Sequence, residues 1–100
     1  MDTMDDLVGK VKLWGRAKGI DNPYRQLNKV TEELGELASE ICRDRFDSKE
    51  FRDSVGDVLV TVIILADMTG NDPRECLAEA YEEISKRKGK ISDGMFIKDL

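Results

Sequence analysis

Hydrophobic residues recur at helical spacing between residues 27 and 41. At about 100° per residue they fall on one stripe, which predicts the buried seam of a packed helix. The stripe consists of Leu27, Val30, Leu34, Leu37 and Ile41. A second, polar stripe lies roughly 80° round the same helix, at the edge of the predicted buried face. Its members are Gln26, Lys29, Glu33, Glu36 and Glu40.

The polar stripe carries three carboxylates on adjoining turns, Glu33, Glu36 and Glu40. Like charges at such spacings weaken an isolated helix by roughly 0.2–0.5 kcal/mol per pair. An acidic stripe beside an apolar seam therefore indicates a bound cation. For this segment taken alone, a solvated acidic face is the alternative.

A first helix is predicted over residues 3–18, and Gly19 is placed to end it. Its apolar positions Leu7, Val11 and Trp14 are spaced i, i+4 and i+7, which is typical of an amphipathic helix. We expect Trp14 in the core. Stacking of its ring on a ligand is the alternative.

The second helix starts at Asn22 and Pro23, which are typical of an N-cap and a first helical position, and it runs to about Arg45. A third helix begins near Ser48. Its segment 55–68 is apolar almost all round, so we expect it to be enclosed on nearly all sides. A buried strand is the competing interpretation of this β-branched run. Helix is favoured because no second strand candidate exists to pair with it.

A fourth helix starts at Asp72 and Pro73, and we expect Gly89 to close it. Its apolar stripe consists of Leu77, Ala80, Tyr81 and Ile84. Residues 91–100 show no regular period and are interpreted as a tail. Residues 1–100 are thus expected to form a single all-α domain, an antiparallel bundle of about four helices. Because so short a chain buries little surface, we expect homo-oligomerisation, with residues 58–66 close to the shared core.

Composition narrows the possible chemistry. The net charge is −5 and 37% of the residues are charged, which argues against a nucleic-acid surface. The chain has no histidine, which excludes a zinc site and an imidazole general base. Any bound metal must therefore be held by oxygen ligands, which favours magnesium, manganese or calcium. Cys42 and Cys76 lack CxxC spacing, and reduced, partly buried thiols are expected.

The N-terminus is acidic where a secretory signal needs positive charge, and no apolar run is long enough to span a bilayer. A cytoplasmic protein without a membrane partner is therefore expected.

Acidic residues also stand on the third helix, at Asp53 and Asp57. The short connection between the second and third helices predicts antiparallel neighbours, with axes about 8–10 Å apart. In that geometry the carboxylates of Glu33, Glu36, Asp53 and Asp57 can point into one space. Like charges about 4 Å apart repel by roughly 4 kcal/mol at an effective dielectric near 20, and Mg²⁺ would neutralise them.

Two segments resemble a known family. Residues 32–37, with the sequence EELGEL, and residues 53–59, with the sequence DSVGDVL, resemble the split ExxE…ExxD signature of the MazG-like all-α nucleoside triphosphate pyrophosphohydrolases. The similarity extends to Gln26 and Lys29 and to residues 81–90, and it is greatest to short single-domain members, including those of bacteriophages. It implies a Mg²⁺-dependent enzyme, with Mn²⁺ as a substitute, that cleaves a nucleoside triphosphate into a monophosphate and pyrophosphate. It also implies a helical homodimer or homotetramer.

The resemblance also implies roles for single residues. Glu33 and Glu36 match the ExxE metal ligands, and either would orient and deprotonate the attacking water. Asp57 matches the Asp of ExxD, whereas Ser54 stands where that half has Glu, so Asp53 is taken as the substitute ligand. Candidates for binding the phosphates are Lys29, Arg87 and Lys88. Candidates for holding the base are Trp14, Tyr24 and Gln26.

Two non-enzymatic interpretations remain open. The chief one is a non-catalytic helical dimer, an interaction or regulatory module whose carboxylates only bind a cation or face solvent. Ser54 favours it, because a hydroxyl is a poor magnesium ligand beside a carboxylate. The other is a partner in a toxin–antitoxin pair, which would have a protein interface and no turnover.

Overall fold

A computed structural model describes residues 1–100. It contains four helices and a C-terminal β-hairpin. The helices are α1 (Met4–Lys18), α2 (Pro23–Cys42), α3 (Lys49–Met68) and α4 (Pro73–Ile84), and the strands are β1 (Gly89–Ser92) and β2 (Met95–Lys98). The prediction of a mostly helical, four-helix chain is confirmed, and the β-branched run of α3 is helical.

The helix boundaries follow from the capping residues. Thr3 and Asp6 form a reciprocal capping box at the start of α1, and Gly19 ends that helix in the left-handed conformation, with φ 76°. At the start of α2, the side chain of Asn22 accepts hydrogen bonds from the backbone N–H groups of Tyr24 and Arg25. The side chain of Ser48 caps α3 by accepting one hydrogen bond, from the backbone N–H of Phe51. The α2 helix ends three residues before the predicted Arg45.

The prediction of an irregular tail after residue 90 was wrong. Strands β1 and β2 pair antiparallel, with Ser92 opposite Met95. Asp93 and Gly94 between them have φ of 49° and 72°. A two-residue type I′ hairpin turn, whose twist matches that of its strands, requires positive φ at both central residues. Asp-Gly adopts this conformation at low cost. Gly89, expected to close α4, instead lies in β1, because α4 ends at Ile84.

Helices α2 and α3 form the main helix pair, and α1 packs on α3. Gly15 permits the close approach of α1, because a Cβ at this position would lie 3.2 Å from the Ile64 side chain. Arg16 then donates two hydrogen bonds, of 2.9 and 2.6 Å, to the Asp67 carboxylate. This bidentate pair lowers the pKa of Asp67. It joins the C-terminal ends of the two helices.

The hydrophobic interior of the single chain is very small. Seven of the 100 residues are buried, and Val8 and Ile64 are the only hydrophobic side chains among them. The accessible surface is 8024 Å², whereas a compact monomer of this mass exposes roughly 5,700 Å². The radius of gyration is 15.8 Å, compared with about 13 Å for a compact domain of this length. The chain therefore leaves more surface open than a self-sufficient domain does.

Much of the predicted core is exposed. On α2, Leu27, Leu34 and Ile41 are about half exposed, and on α3 the same holds for Leu59 and Val62. The expectation that these stripes lie in the interior is therefore wrong for one chain. Instead, part of the polar stripe of α2 faces α3. Cys42 and Cys76 are also exposed, contrary to expectation. No helix combines the length and hydropathy needed to cross a lipid bilayer.

Acid should weaken the start of α4. The Asp72 carboxylate caps this helix and accepts hydrogen bonds from the Arg74 side chain and backbone, which lowers its pKa to about 2. Because the folded pKa lies below the ordinary value of 3.8, this contribution to stability is complete above about pH 4 and is lost as the pH falls towards 2. Asp72→Asn keeps the cap and removes the charge. Its deficit in melting temperature relative to wild type should be largest above about pH 4 and shrink towards zero as the pH falls through and below about 2, and a deficit constant across this range would contradict the assignment.

Candidate active site

A cavity of about 220 Å³ opens where α1, α2 and α3 meet. Five of the sequence-predicted site residues line it: Trp14, Gln26, Lys29, Glu33 and Asp57. The remaining lining residues are Ile20, Val60, Thr61 and Ile64. The lining therefore combines hydrophobic side chains with a few charged and polar groups, as small-molecule sites do.

Gln26 fixes the register of the two helices that carry the charged groups. Its side chain is only 6% exposed, and its Nε2 donates a 3.1 Å hydrogen bond to the backbone oxygen of Thr61. The contact joins the start of α2 to the later half of α3, so the helices are antiparallel, as predicted. Glu33 follows Gln26 by seven residues on α2 and Ser54 precedes Thr61 by seven residues on α3, so in an antiparallel pair the two are expected at the same level.

Glu33 is the most enclosed acid of the predicted motif, with its side chain 14% exposed. Its carboxylate lies 3.6 Å from Lys29 Nζ, which also bonds Glu32 at 3.4 Å. The Glu32 bond and charge, with a smaller contribution from Glu33, raise the pKa of Lys29. Lys29 therefore stays protonated beside Glu33 and supplies positive charge at the cavity wall.

Trp14 lies at the cavity mouth. It is 51% exposed, so the expectation that it is a core residue was wrong. Lys18 Nζ stands 5.9 Å from the centre of its ring, at the limit of a cation–π contact. Much of the ring is open to solvent, and stacking of the ring on a ligand stays a prediction.

Other predicted site residues lie outside this cavity. Glu36 is exposed and forms no salt bridge, and Asp53 pairs with Lys49 at 2.9 Å, which raises the pKa of the lysine. Arg87 and Lys88 are exposed in the link between α4 and the hairpin. No three acidic or cysteine side chains lie close enough together to share a metal ion. The single chain thus brings Glu33 and Asp57 to one cavity but does not assemble the predicted group of four carboxylates.

Comparison with known families bears directly on this arrangement. The model of the MazG nucleotide pyrophosphohydrolase domain matches residues 22–92, most of the chain. The chain belongs to the MazG family.

The match begins at the N-cap of α2 and ends in β1, so the MazG domain includes both helices that carry the acidic residues. Helix α1, with Trp14, lies outside the matched range. A protein of 18.2 kDa encoded in the rep-hol intergenic region of Haemophilus phage HP1 (strain HP1c1), itself uncharacterised, is 30% identical over 69 residues. That alignment covers 66% of this chain and 41% of the phage protein, so the chain spans less than half of its relative's length. No solved structure is significantly similar.

Two residues of this MazG domain were missed as parts of the site. Thr61 positions Gln26, and a polar residue within the apolar run of α3 was the available signal. Glu40 belongs to the acidic stripe that indicates a cation but was not among the predicted metal ligands, although it follows Glu33 by seven residues, as Glu33 follows Gln26, which predicts the same face. In the structure Glu40 is 8% exposed, and its Oε2 atom is buried without a hydrogen-bond donor.

Proposed function

We propose that this MazG domain is a magnesium-dependent nucleoside triphosphate pyrophosphohydrolase, which cleaves between the α and β phosphates to release a monophosphate and pyrophosphate. The observation that carries the proposal is the shared cavity of Glu33 and Asp57, one residue from each half of the family signature. Lys29 and Trp14 line the same space and supply a cation and an aromatic surface.

The donor set fits a hard divalent ion. Every charged ligand candidate is a carboxylate, and the chain has no histidine. Glu33, Glu36 and Asp57 are the proposed ligands. Asp53 would become a fourth ligand if its salt bridge with Lys49 opened. When bound, Mg²⁺ supplies Lewis-acid charge that stabilises the phosphate oxygens of the transition state.

The side chains have distinct proposed tasks. Glu33, enclosed by the cavity wall, orients the attacking water and accepts its proton, and Glu36 is the alternative base. Lys29 neutralises phosphate charge. Trp14 stacks on the base, while Gln26, whose Nε2 is held by Thr61, presents its Oε1 as an acceptor.

Self-association is part of the proposal. The surface in excess of a compact monomer is roughly 2,300 Å² per chain, well above the ~800 Å² per partner of a standard interface. The exposed stripe of Leu27, Leu34 and Ile41 on α2 lies beside the face that packs on α3, so a second copy would extend the same helix pair into a bundle. Arg87 and Lys88, remote from the cavity in one chain, could then reach a neighbouring site as phosphate ligands.

A non-catalytic dimer is the second candidate function. Two observations favour it: no three acids lie together, and position 54 carries a buried Ser in place of the signature Glu. Turnover distinguishes the two candidates.

The direct test is incubation with ribo- and deoxyribonucleoside triphosphates in the presence of Mg²⁺, followed by measurement of released pyrophosphate. The proposal expects release from at least one nucleotide and its loss in excess EDTA. Absence of pyrophosphate from every nucleotide would favour the non-catalytic dimer.

A further inference from the structure

One carboxylate oxygen of Glu40 is buried and has no hydrogen-bond partner in the chain. Its Oε1 accepts a hydrogen bond from Arg43, whereas its Oε2 has no donor and no exposure to solvent. An ionised oxygen in such a place is unfavourable unless a cation or a donor reaches it. Glu40 is the only residue whose side chain is left in this state.

The position of Glu40 points to the acidic face of α2. The Cα–Cβ bonds of a helix are tilted towards its N-terminus, so the Glu40 side chain leaves the helix on the side of Glu36, one turn earlier, while Arg43 reaches its carboxylate from the following turn. Residues spaced i and i+4 have Cβ atoms about 5–6 Å apart, which lets two carboxylates reach one ion. Glu36 is exposed and makes no salt bridge, so its carboxylate can turn towards Glu40 without breaking a contact.

Charge favours a metal ion over another protein group as the missing partner. Lys29, the lysine of α2, already pairs with Glu32 and Glu33, and Arg43 is bound to the other oxygen of Glu40. Carboxylates that ligate metals are commonly held by such an outer hydrogen bond. On α3, Ser54 leaves the site without the carboxylate that the family signature carries there.

We propose that Glu40 is a ligand for a divalent cation that it shares with Glu36, held between the first ligand site at Glu33 and the end of α2. Arg43 is the positioning residue that fixes the Glu40 carboxylate. The inference rests on the proposed metal-dependent function and adds a ligand that the ExxE…ExxD signature does not include.

The test is titration of the full chain with Mn²⁺ alone, with free Mn²⁺ measured by electron paramagnetic resonance. Glu40→Gln should raise the Kd of at least one Mn²⁺ by about tenfold or more. Glu79→Gln, which makes the same charge change at an exposed site on α4, should leave binding unchanged. Glu36→Gln combined with Glu40→Gln should weaken binding little more than either change alone, because two ligands of one ion are not additive.

Folding is checked by circular dichroism of each variant in EDTA, and Glu40→Asp is a second variant that keeps the charge while withdrawing the carboxylate by one methylene. It too should weaken Mn²⁺ binding. Wild-type affinity in both Glu40 variants would overturn the inference and leave a buried water as the partner of Oε2. Pyrophosphate release by wild type, measured in parallel, separates this failure from failure of the proposed function, and absence of Mn²⁺ binding to wild type would overturn both.

Discussion

Glu33→Gln is expected to lower kcat for pyrophosphate release by about two to four orders of magnitude, the usual contribution of a positioned general base. The substitution keeps the size of the side chain and removes both the proton acceptor and a negative charge from the cavity. The side chain of Glu33 is mostly enclosed, but it forms no hydrogen bond with the backbone. Its replacement by glutamine should therefore leave the fold intact. The measurement is kcat at saturating nucleotide and Mg²⁺.

Glu32→Gln is the matched control. Glu32 is the preceding residue on α2, loses the same charge, and is exposed away from the cavity. Its kcat should stay within a few-fold of wild type even though its bond to Lys29 is lost. Equal losses in the two variants would show that the charge of the helix, and not the position of Glu33, controls the rate.

Leu34→Glu is expected to dissociate the oligomer. Leu34 is 49% exposed in one chain and lies at the centre of the α2 stripe with Leu27 and Ile41. If a second copy covers this stripe, a carboxylate there is buried without a partner, which costs several kcal/mol. In a two-fold interface the change occurs twice, so the dimer Kd should rise by at least about two orders of magnitude. Sedimentation velocity over a range of concentrations measures this.

Asn28→Glu adds the same charge on the far side of α2 and should leave the sedimentation coefficient unchanged. A wild-type chain that sediments as a folded monomer at micromolar concentration would refute the role given to the stripe. Dissociation by both substitutions would point to net charge as the cause.

Local signals predicted the helices well. Asn22 with Pro23, Ser48, and Asp72 with Pro73 each mark a start within one residue, because N-caps act through backbone groups only a few residues away. The hairpin was missed because its strands are four residues each, too short for a period to emerge. Its usable signal was the Asp93-Gly94 turn.

Which face of α2 meets α3 was harder to predict. The apolar period of Leu27, Leu34 and Ile41 predicts burial but does not identify what buries them, since a neighbouring helix and a second copy leave the same pattern. The structure instead buries Gln26, which bonds Thr61 of α3, and Glu40. Nothing in the local sequence predicts the Gln26–Thr61 bond that sets this register, because its partners are 35 positions apart.

The candidate site was likewise predictable only where it depends on local sequence. Glu33 and Asp57 were predicted from the acidic motif, and the antiparallel pair brings them to one cavity. Asp53, one residue from the face of the missing Glu, turns instead to Lys49, its neighbour one turn earlier. The positions of Arg87 and Lys88 relative to the site depend on the C-terminal hairpin and on any second copy of the chain. Residue spacing within one helix does not predict either of these.

The identity of the phosphorus products tests the central claim most directly. Phosphorus-31 spectra of the reaction with the best nucleotide and Mg²⁺ should show monophosphate and pyrophosphate appearing in equal amounts, with no orthophosphate. In water enriched with oxygen-18, attack at the α phosphorus should place the label in the monophosphate. Formation of a nucleoside diphosphate with orthophosphate, or an unchanged triphosphate, would contradict the assignment of this chain as a pyrophosphohydrolase.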